Sequence, residues 1–358
     1  MMVEKTNRAC EGIAAPARLI HDRTREALVT ELTAWGQPAF RARQLWHWLY
    51  RQCATDFATM ANLPSTLRTA LAAHYRANPF ALHDRLQADD GVLKLALEAV
   101  DGEIVETVCI PAAVRRTVCV STQVGCALGC TFCASARGGF SRNLTTGEIV
   151  AQVITVAQWL ESRPTHVVFM GMGEPLMNLD AVLGAVRILN DAEGLAIAAR
   201  RITLSTCGIV PGIHQLAREG MQFELSVSLH APDDALRDRL MPVNRRWPIR
   251  ALLEACRAYA KRTGRIVTFE YTLVAGLNDH PDQARLLVRQ LRDLPCRVNL
   301  IPLSPIPEFD GRAPNEACIQ QFRTLIRRAG INVTVRQSRG GGVDAACGQL
   351  RRRLKPET

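Results

Sequence analysis

Three cysteines crowd the segment Cys126-Ala-Leu-Gly-Cys130-Thr-Phe-Cys133, separated by three residues and then by two. Thiolates at that spacing can wrap one corner of a cubane iron–sulfur cluster and bind three of its four irons, leaving the fourth open to a small molecule. A structural zinc ion wants four protein ligands, so on that reading the fourth would come from elsewhere, such as Cys119. The chain holds 12 cysteines in 358 residues. Disulfide frameworks belong to small secreted domains, so metal binding or redox chemistry is the better expectation here. Cys53, Cys256 and Cys296 lie among apolar neighbours and read as small core hydrophobes, while Cys10 and Cys318 carry no signal.

A second loop, Gly171-Met172-Gly173-Glu174-Pro175, follows a run of strand formers that ends at Met170. Glycines let a backbone approach a ligand closely, and Glu174 can accept a hydrogen bond from an ammonium group. Both loops fall at the C-terminal end of a strand pattern, which is where parallel α/β architectures bind ligands.

The elements that must carry these loops show as an alternation. Strand-like runs at 117–122, 166–170, 202–206, 223–229, 266–273 and 297–301, with a later one at 332–335, are separated by helical stretches. One stretch opens with Thr145-Thr146-Gly147-Glu148, the spacing of a capping box, and then repeats apolar residues at Ile149, Val153, Val156 and Leu160. Strand–helix alternation predicts a parallel sheet with crossover helices, and about six units suit a partial, open barrel better than a closed eight-unit one; an open doubly wound sheet fits the same pattern. Ahead of it, residues 91–110 alternate around Val100-Asp101-Gly102-Glu103, a β-hairpin signal. Residues 21–80 are helical in pattern. There Leu45, Trp48 and Leu49 are expected on one helix face, and Ser65, after Leu63-Pro64, is expected to cap the next helix. The organisation expected is an N-terminal tail over 1–20, a small helical domain over 21–84, and a core with its hairpin extension over 85–358.

The net charge is +10, from 44 Lys and Arg against 34 Asp and Glu. Such an excess points to a polyanionic partner. Arg237, Arg239, Arg245, Arg246 and Arg250 form one basic group, and Arg336, Arg339, Arg351, Arg352 and Arg353 another. No secretory signal opens the sequence, and no run is apolar for the length of a membrane span, so a soluble, cytoplasmic protein is expected.

Further stretches narrow the family. Val118-Cys119-Val120-Ser121-Thr122-Gln123-Val124-Gly125 leads into the cysteine loop, and Gly139-Phe140-Ser141-Arg142-Asn143-Leu144 follows it. Ser226-Val227-Ser228-Leu229-His230-Ala231-Pro232 and Asp344-Ala345-Ala346-Cys347-Gly348-Gln349-Leu350 come later. With the two loops, these resemble the RlmN/Cfr family of radical S-adenosylmethionine (SAM) enzymes, from about Phe40 to Leu350. The resemblance implies a radical SAM partial (β/α)6 barrel, α/β in class. It also implies methylation of an adenine ring carbon in 23S ribosomal RNA and, for RlmN-type members, transfer RNA. The helical domain would then dock RNA.

On the same resemblance, Cys126, Cys130 and Cys133 hold a 4Fe-4S cluster whose open iron chelates SAM. Gly173, Glu174, Ser205, Ser228, His230 and Asn299 contact SAM. Cys347 takes a methyl group from one SAM, and a second SAM is cleaved to a 5′-deoxyadenosyl radical that removes hydrogen from that methyl. The resulting carbon radical adds to the adenine, and Glu106 handles the proton of the ring carbon. Cys119 releases the product by forming a transient disulfide with Cys347. The implied reductant is flavodoxin or a ferredoxin, and the implied state is a monomer. Three features depart from the family pattern: Cys207 stands where a second Ser is expected, Leu303-Ser304 replaces a Trp-Asn pair, and Gly340 to Gly342 are unusually glycine-rich. Methylation at C8, as in Cfr, uses the same residues. A non-catalytic RNA-binding protein with a structural metal is the reading from another class.

Overall fold

The computed structural model of the protein describes residues 18–160 and 162–336, together with Leu350 and Leu354. Cys347, Gly340 to Gly342, Arg339 and Arg351 to Arg353 lie outside the described residues.

The chain opens with β1 (Arg18–Leu19), then α1 (Arg25–Ala34), α2 (Phe40–Tyr50), α3 (Ser65–His74) and β2 (Tyr75–Arg76), which pairs in parallel with β1. In α2 the buried stripe is Ala42, Leu45, Trp46, Leu49 and Tyr50, not the Leu45–Trp48–Leu49 face expected. Positions 42, 45, 46, 49 and 50 follow the helical repeat, so adding Trp48 would have widened the stripe past one face. Trp48 is half-buried and donates its Nε1 to Asn62 Oδ1 at 2.6 Å. Ser65 does not cap α3. Pro64 occupies the cap position with extended backbone, and Ser65 is the first helical residue.

An antiparallel meander follows: β3 (Phe80–Gln87), β4 (Leu93–Ala99) and β5 (Ile104–Ala112). The β4–β5 turn is the hairpin expected at Asp101-Gly102, with Gly102 at φ +77°. Position 84, where the sequence divides helical region from core, falls inside β3. His83, Asp84, Arg85 and Gln87 mask that strand, because its outer residues face water.

The core then alternates strand and helix. It runs β6 (Arg115–Cys119), a ribbon of β7 (Gln123–Gly125) and β8 (Phe140–Asn143) enclosing the short α4 (Ala134–Arg137), α5 (Thr146–Trp159), β9 (His166–Phe169), α6 (Leu179–Asn190), β10 (Ile202–Thr206) and α7 (Val210–Leu216). It continues through β11 (Glu224–Ser228), α8 (Asp234–Leu240), α9 (Ile249–Thr263), β12 (Val267–Leu273), α10 (Pro281–Leu291), β13 (Cys296–Pro302), α11 (Glu316–Arg328) and β14 (Asn332–Val335). The sheet order is β14-β13-β12-β11-β10-β9-β6-β5-β4-β3. From β6 to β14 the pairing is parallel, and β5, β4 and β3 extend it antiparallel. The order has two ends, so the barrel is partial and open.

The strands alternate. Val118, Val167, Phe169, Leu204, Leu225, Val227, Phe269 and Val298 are wholly buried in one cluster with the helices. The helix α5 carries the capping box read from Thr145 and Glu148, with both reciprocal bonds present. It is buried almost all round, because the N-terminal region packs on it: Asp22 Oδ1 accepts from the Gly147 amide at 2.7 Å. Among the described residues, no helix is long and apolar enough to cross a membrane.

Candidate active site

The residues opposite the helix-covered face are polar, and strand register brings them side by side. Cys119 pairs with Val168, Ser205 with Ser226, Ser228 with Glu270, Glu270 with Asn299, and Asn299 with Thr334. Side chains alternate across a strand, so Cys119, Ser205, Ser228, Glu270 and Asn299 share the face that the helices leave uncovered.

Cys126, Cys130 and Cys133 sit on one loop between β7 and α4, the first two buried and Cys133 half-buried. Two constraints fold that loop. Gly125 has φ +77°, and a Cβ there would lie 1.8 Å from the Gly139 carbonyl oxygen, so only glycine fits. The Cys126 amide donates to that same carbonyl at 2.8 Å. Burial first, and then the neighbouring Cys130, Cys133 and Glu174, push the Cys126 thiol up to about 12. Groups near enough to oppose one another's ionisation are held together by the fold, and a metal centre would take that proton pressure away. Among the described residues no three His, Cys, Asp or Glu side chains are gathered around a single ion position. Cys119, the alternative fourth zinc ligand, instead packs with Val92 and Val108 on the sheet. Three soft thiol donors on one buried loop fit a multi-iron cluster.

The glycine loop after β9 presses against that region. A Cβ at Gly171 would meet the Val120 carbonyl at 2.6 Å, and Gly173, at φ +95°, would meet Gln123 Cβ at 2.5 Å. Glu174 is buried, and burial raises its carboxyl above the usual range. Its two oxygens already accept from the amides of Leu176 (3.0 Å) and Cys207 (2.7 Å). Glu174 therefore ties the loop after β9 to the end of β10, in addition to any ligand contact. Cys207, the departure from the family pattern, interacts with Cys130, which holds the Cys130 thiol down and its own up.

Beyond β11, His230 is buried with backbone in the left-handed region, φ +56°. Its Nδ1 accepts from the Thr272 amide at 2.9 Å, and burial holds the ring down to about 3. It is thus neutral with its proton on Nε2. Its ring stands edge-on to Phe132 of the cysteine loop, centroids 5.0 Å apart. On β12, Glu270 accepts from Ser226 Oγ (2.9 Å) and Asn299 Nδ2 (2.7 Å), while Asn299 Oδ1 accepts from Thr334 (2.9 Å). The Asn299 amide is orientated at both ends. Sequence reading missed Glu270, because one carboxylate in a strand pattern reads as a solvent-facing residue.

The meander supplies the second half. Glu106 on β5 is buried and paired with a buried lysine, Lys94 on β4, at 3.0 Å. Register places Glu106 beside Ala96 and Val108 beside Cys119, so Lys94, Glu106 and Cys119 line one face. Leu350, three residues after Cys347, packs against Ala96 and Ile104 on that face. Lys94, like Glu270, had been missed.

Of the first basic group, Arg239, Arg245, Arg246 and Arg250 are exposed. Arg237 is not. It is wholly buried, so it belongs to the interior and not to a nucleic-acid surface. In the N-terminal region Trp46 and Tyr50 are core residues, while Phe40 is exposed with Arg41 over its ring.

Residues 120–287 match the radical SAM superfamily model, and residues 20–76 match the ribosomal RNA large subunit methyltransferase N-terminal domain. The chain is 46% identical to a probable dual-specificity RNA methyltransferase RlmN of Pelotomaculum thermopropionicum, across 94% of this chain and 92% of that one. A protein of the same name from Geobacillus thermodenitrificans is 45% identical across 97% of this chain and 96% of its own. The crystal structure of a radical SAM methyltransferase from Sphaerobacter thermophilus superposes with a TM-score of 0.90 at 49% identity, covering 93% of this chain and 98% of that one.

Proposed function

Because the chain belongs to the RlmN family of radical SAM RNA methyltransferases, we propose that it methylates C2 of an adenosine in RNA, with 23S ribosomal RNA and transfer RNA as substrates. What supports the reading is that buried Glu106 and Cys119 line one face of the sheet, the face on which Leu350, three residues after Cys347 in sequence, packs. A structural RNA-binding module has no use for that combination.

When bound, a 4Fe-4S cluster held by Cys126, Cys130 and Cys133 supplies the electron that cleaves SAM. The remaining steps belong to the chain. Cys347 takes a methyl group from one of the two SAM molecules spent per turnover and carries it to the ring. Glu106 takes the proton from the ring carbon as general base. The Cys119 thiolate attacks the sulfur of Cys347; as that S–S bond forms the S–C bond to the RNA breaks, its electron pair stays on the carbon, and that carbon takes up a proton to become the methyl group. Gly173, Glu174, Ser205, Ser228, His230 and Asn299 place SAM, His230 as an Nε2–H donor. A flavodoxin- or ferredoxin-type protein supplies electrons to a cytoplasmic monomer.

Cys119→Ala separates the release step from those before it. Incubated anaerobically with SAM, reductant and RNA, this variant is expected to stall as a protein–RNA adduct that survives a denaturing gel and disappears on RNase treatment. Normal release of methylated RNA by the variant would contradict the assignment.

A further inference from the structure

Arg237, on α8, donates from all three of its nitrogens, and among the described residues no carboxylate accepts from it. Its Nε donates to the Leu229 carbonyl (3.1 Å), Nη1 to Asn244 Oδ1 (2.8 Å), and Nη2 to the carbonyls of Cys207 (2.7 Å) and Ser228 (3.1 Å). Two acids stand one residue away, and Asp234 still favours the guanidinium charge from there. Asn244 turns its Nδ2 to Asp234 Oδ1 (3.0 Å) and Asp238 Oδ1 (2.7 Å), which places a neutral amide between them and the guanidinium. The residue is wholly buried, and burial lowers its affinity for the proton; an arginine so placed nevertheless keeps its charge. A buried cation with only neutral partners is costly unless an anion stands near it.

The neighbouring element shows where that anion belongs. The end of α8 is bound to the cysteine loop: the Thr131 amide, between Cys130 and Cys133, donates to the Leu240 carbonyl at 3.0 Å. A Cβ at Gly129 in the same loop would lie 3.9 Å from Pro242, just past α8. On its other side Arg237 holds the carbonyl of Cys207, whose amide donates to Glu174 of the glycine loop. A clasp on three carbonyls needs donors but no charge, so clasping alone leaves the charge unexplained.

We infer that Arg237 is the counter-charge of the iron–sulfur cluster and sets its reduction potential. The inference rests on the reading that Cys126, Cys130 and Cys133 hold that cluster. Reduction adds one electron and no proton, so the cluster and its thiolates gain one negative charge. A fixed cation beside them stabilises the reduced form more than the oxidised one and raises the potential, which eases electron entry from a low-potential donor. Arg237 is a positioning residue by this account and touches no substrate.

The test is an anaerobic redox titration of the reconstituted full-length protein followed by EPR, with iron and sulfide counted in each sample. Arg237→Gln is expected to keep its iron and shift the midpoint to more negative potential, while Arg237→Lys, which keeps the charge, stays at the wild-type midpoint. A fully loaded Arg237→Gln protein with an unchanged midpoint would overturn the inference and leave Arg237 a clasp. If the Gln variant does not fold, Asn244→Asp decides: a carboxylate set against the guanidinium is expected to move the midpoint to more negative potential, and a fully loaded Asn244→Asp protein with the wild-type midpoint refutes the inference. Wild-type protein that binds no iron would sink the cluster assignment itself, a separate failure.

Discussion

Lys94 and Glu106 show what a single residue can hide in a sequence. Leu93-Lys94-Leu95-Ala96-Leu97-Glu98 has the alternation of a strand with a wet face, and Lys94 reads as part of that face. Its burial follows from pairing with β5 and from Leu350 packing on Ala96 and Ile104 of the two strands. Asp84 on β3 shares the face and Glu98 lies further along β4, paired with His83. Breaking a buried pair leaves one charge without compensation. Lys94→Met is therefore expected to lower stability by about 3–5 kcal/mol, read as a fall in the urea midpoint at unchanged slope. A change below about 1 kcal/mol, the worth of a surface pair, would mean that the pair is solvated in the working protein. Glu270 and Arg237 were illegible for the same reason: a charge reads as exposed until its partners, distant in sequence, are known. The cysteine loop was legible because its three thiols lie within eight residues of sequence.

At the scale of elements the sequence was more informative, since periodicity is local. The seven parallel strands lie where apolar runs ended in polar or glycine-rich loops, and α5 begins at its capping box. Two positions misled. Trp48 looked like core because it is large and apolar, yet helical geometry turned Trp46 inward, and Pro64 took the cap that Ser65 was expected to provide. Trp46 and Tyr50 share their neighbourhood with His21, in the turn ahead of α1. His21 Nδ1 meets the Tyr50 hydroxyl (3.2 Å) and Nε2 the Ala77 carbonyl (2.9 Å), and burial holds the ring down to about 4 from 6.5. It stays neutral in the fold, so between those values the unfolded chain binds the extra proton. Stability unaffected above pH 6.5 is thus lost as pH falls toward 4, by up to about 1.4 kcal/mol per pH unit. His21→Gln is expected to flatten this slope in urea titrations across that window; parallel slopes in the two proteins would show His21 to be protonated in the fold.

In the whole molecule, the helical N-terminal region and the barrel share one hydrophobic cluster, joined also by Asp22 to Gly147 and by Arg25 to Glu193 at 2.5 Å. The helical region and the barrel are thereby one packed body. Among the described residues, the basic excess of the sequence divides on folding into an exposed arginine set around residues 239–250 and interior cations, Arg237 and Lys94. Composition announces a polyanionic partner but not which arginines face it, because burial is decided by packing.

The most direct measurement is anaerobic turnover of the reconstituted protein with SAM, a reductant and unmodified ribosomal or transfer RNA. The digested nucleosides are read by mass spectrometry against 2-methyl- and 8-methyladenosine standards, with Cys347→Ala alongside. The expected result is 2-methyladenosine from the wild type and none from the variant. Formation of 8-methyladenosine would contradict the position proposed while leaving the cysteine chemistry in place. Methylation that persists in Cys347→Ala would contradict the methyl-carrying role at the centre of the mechanism.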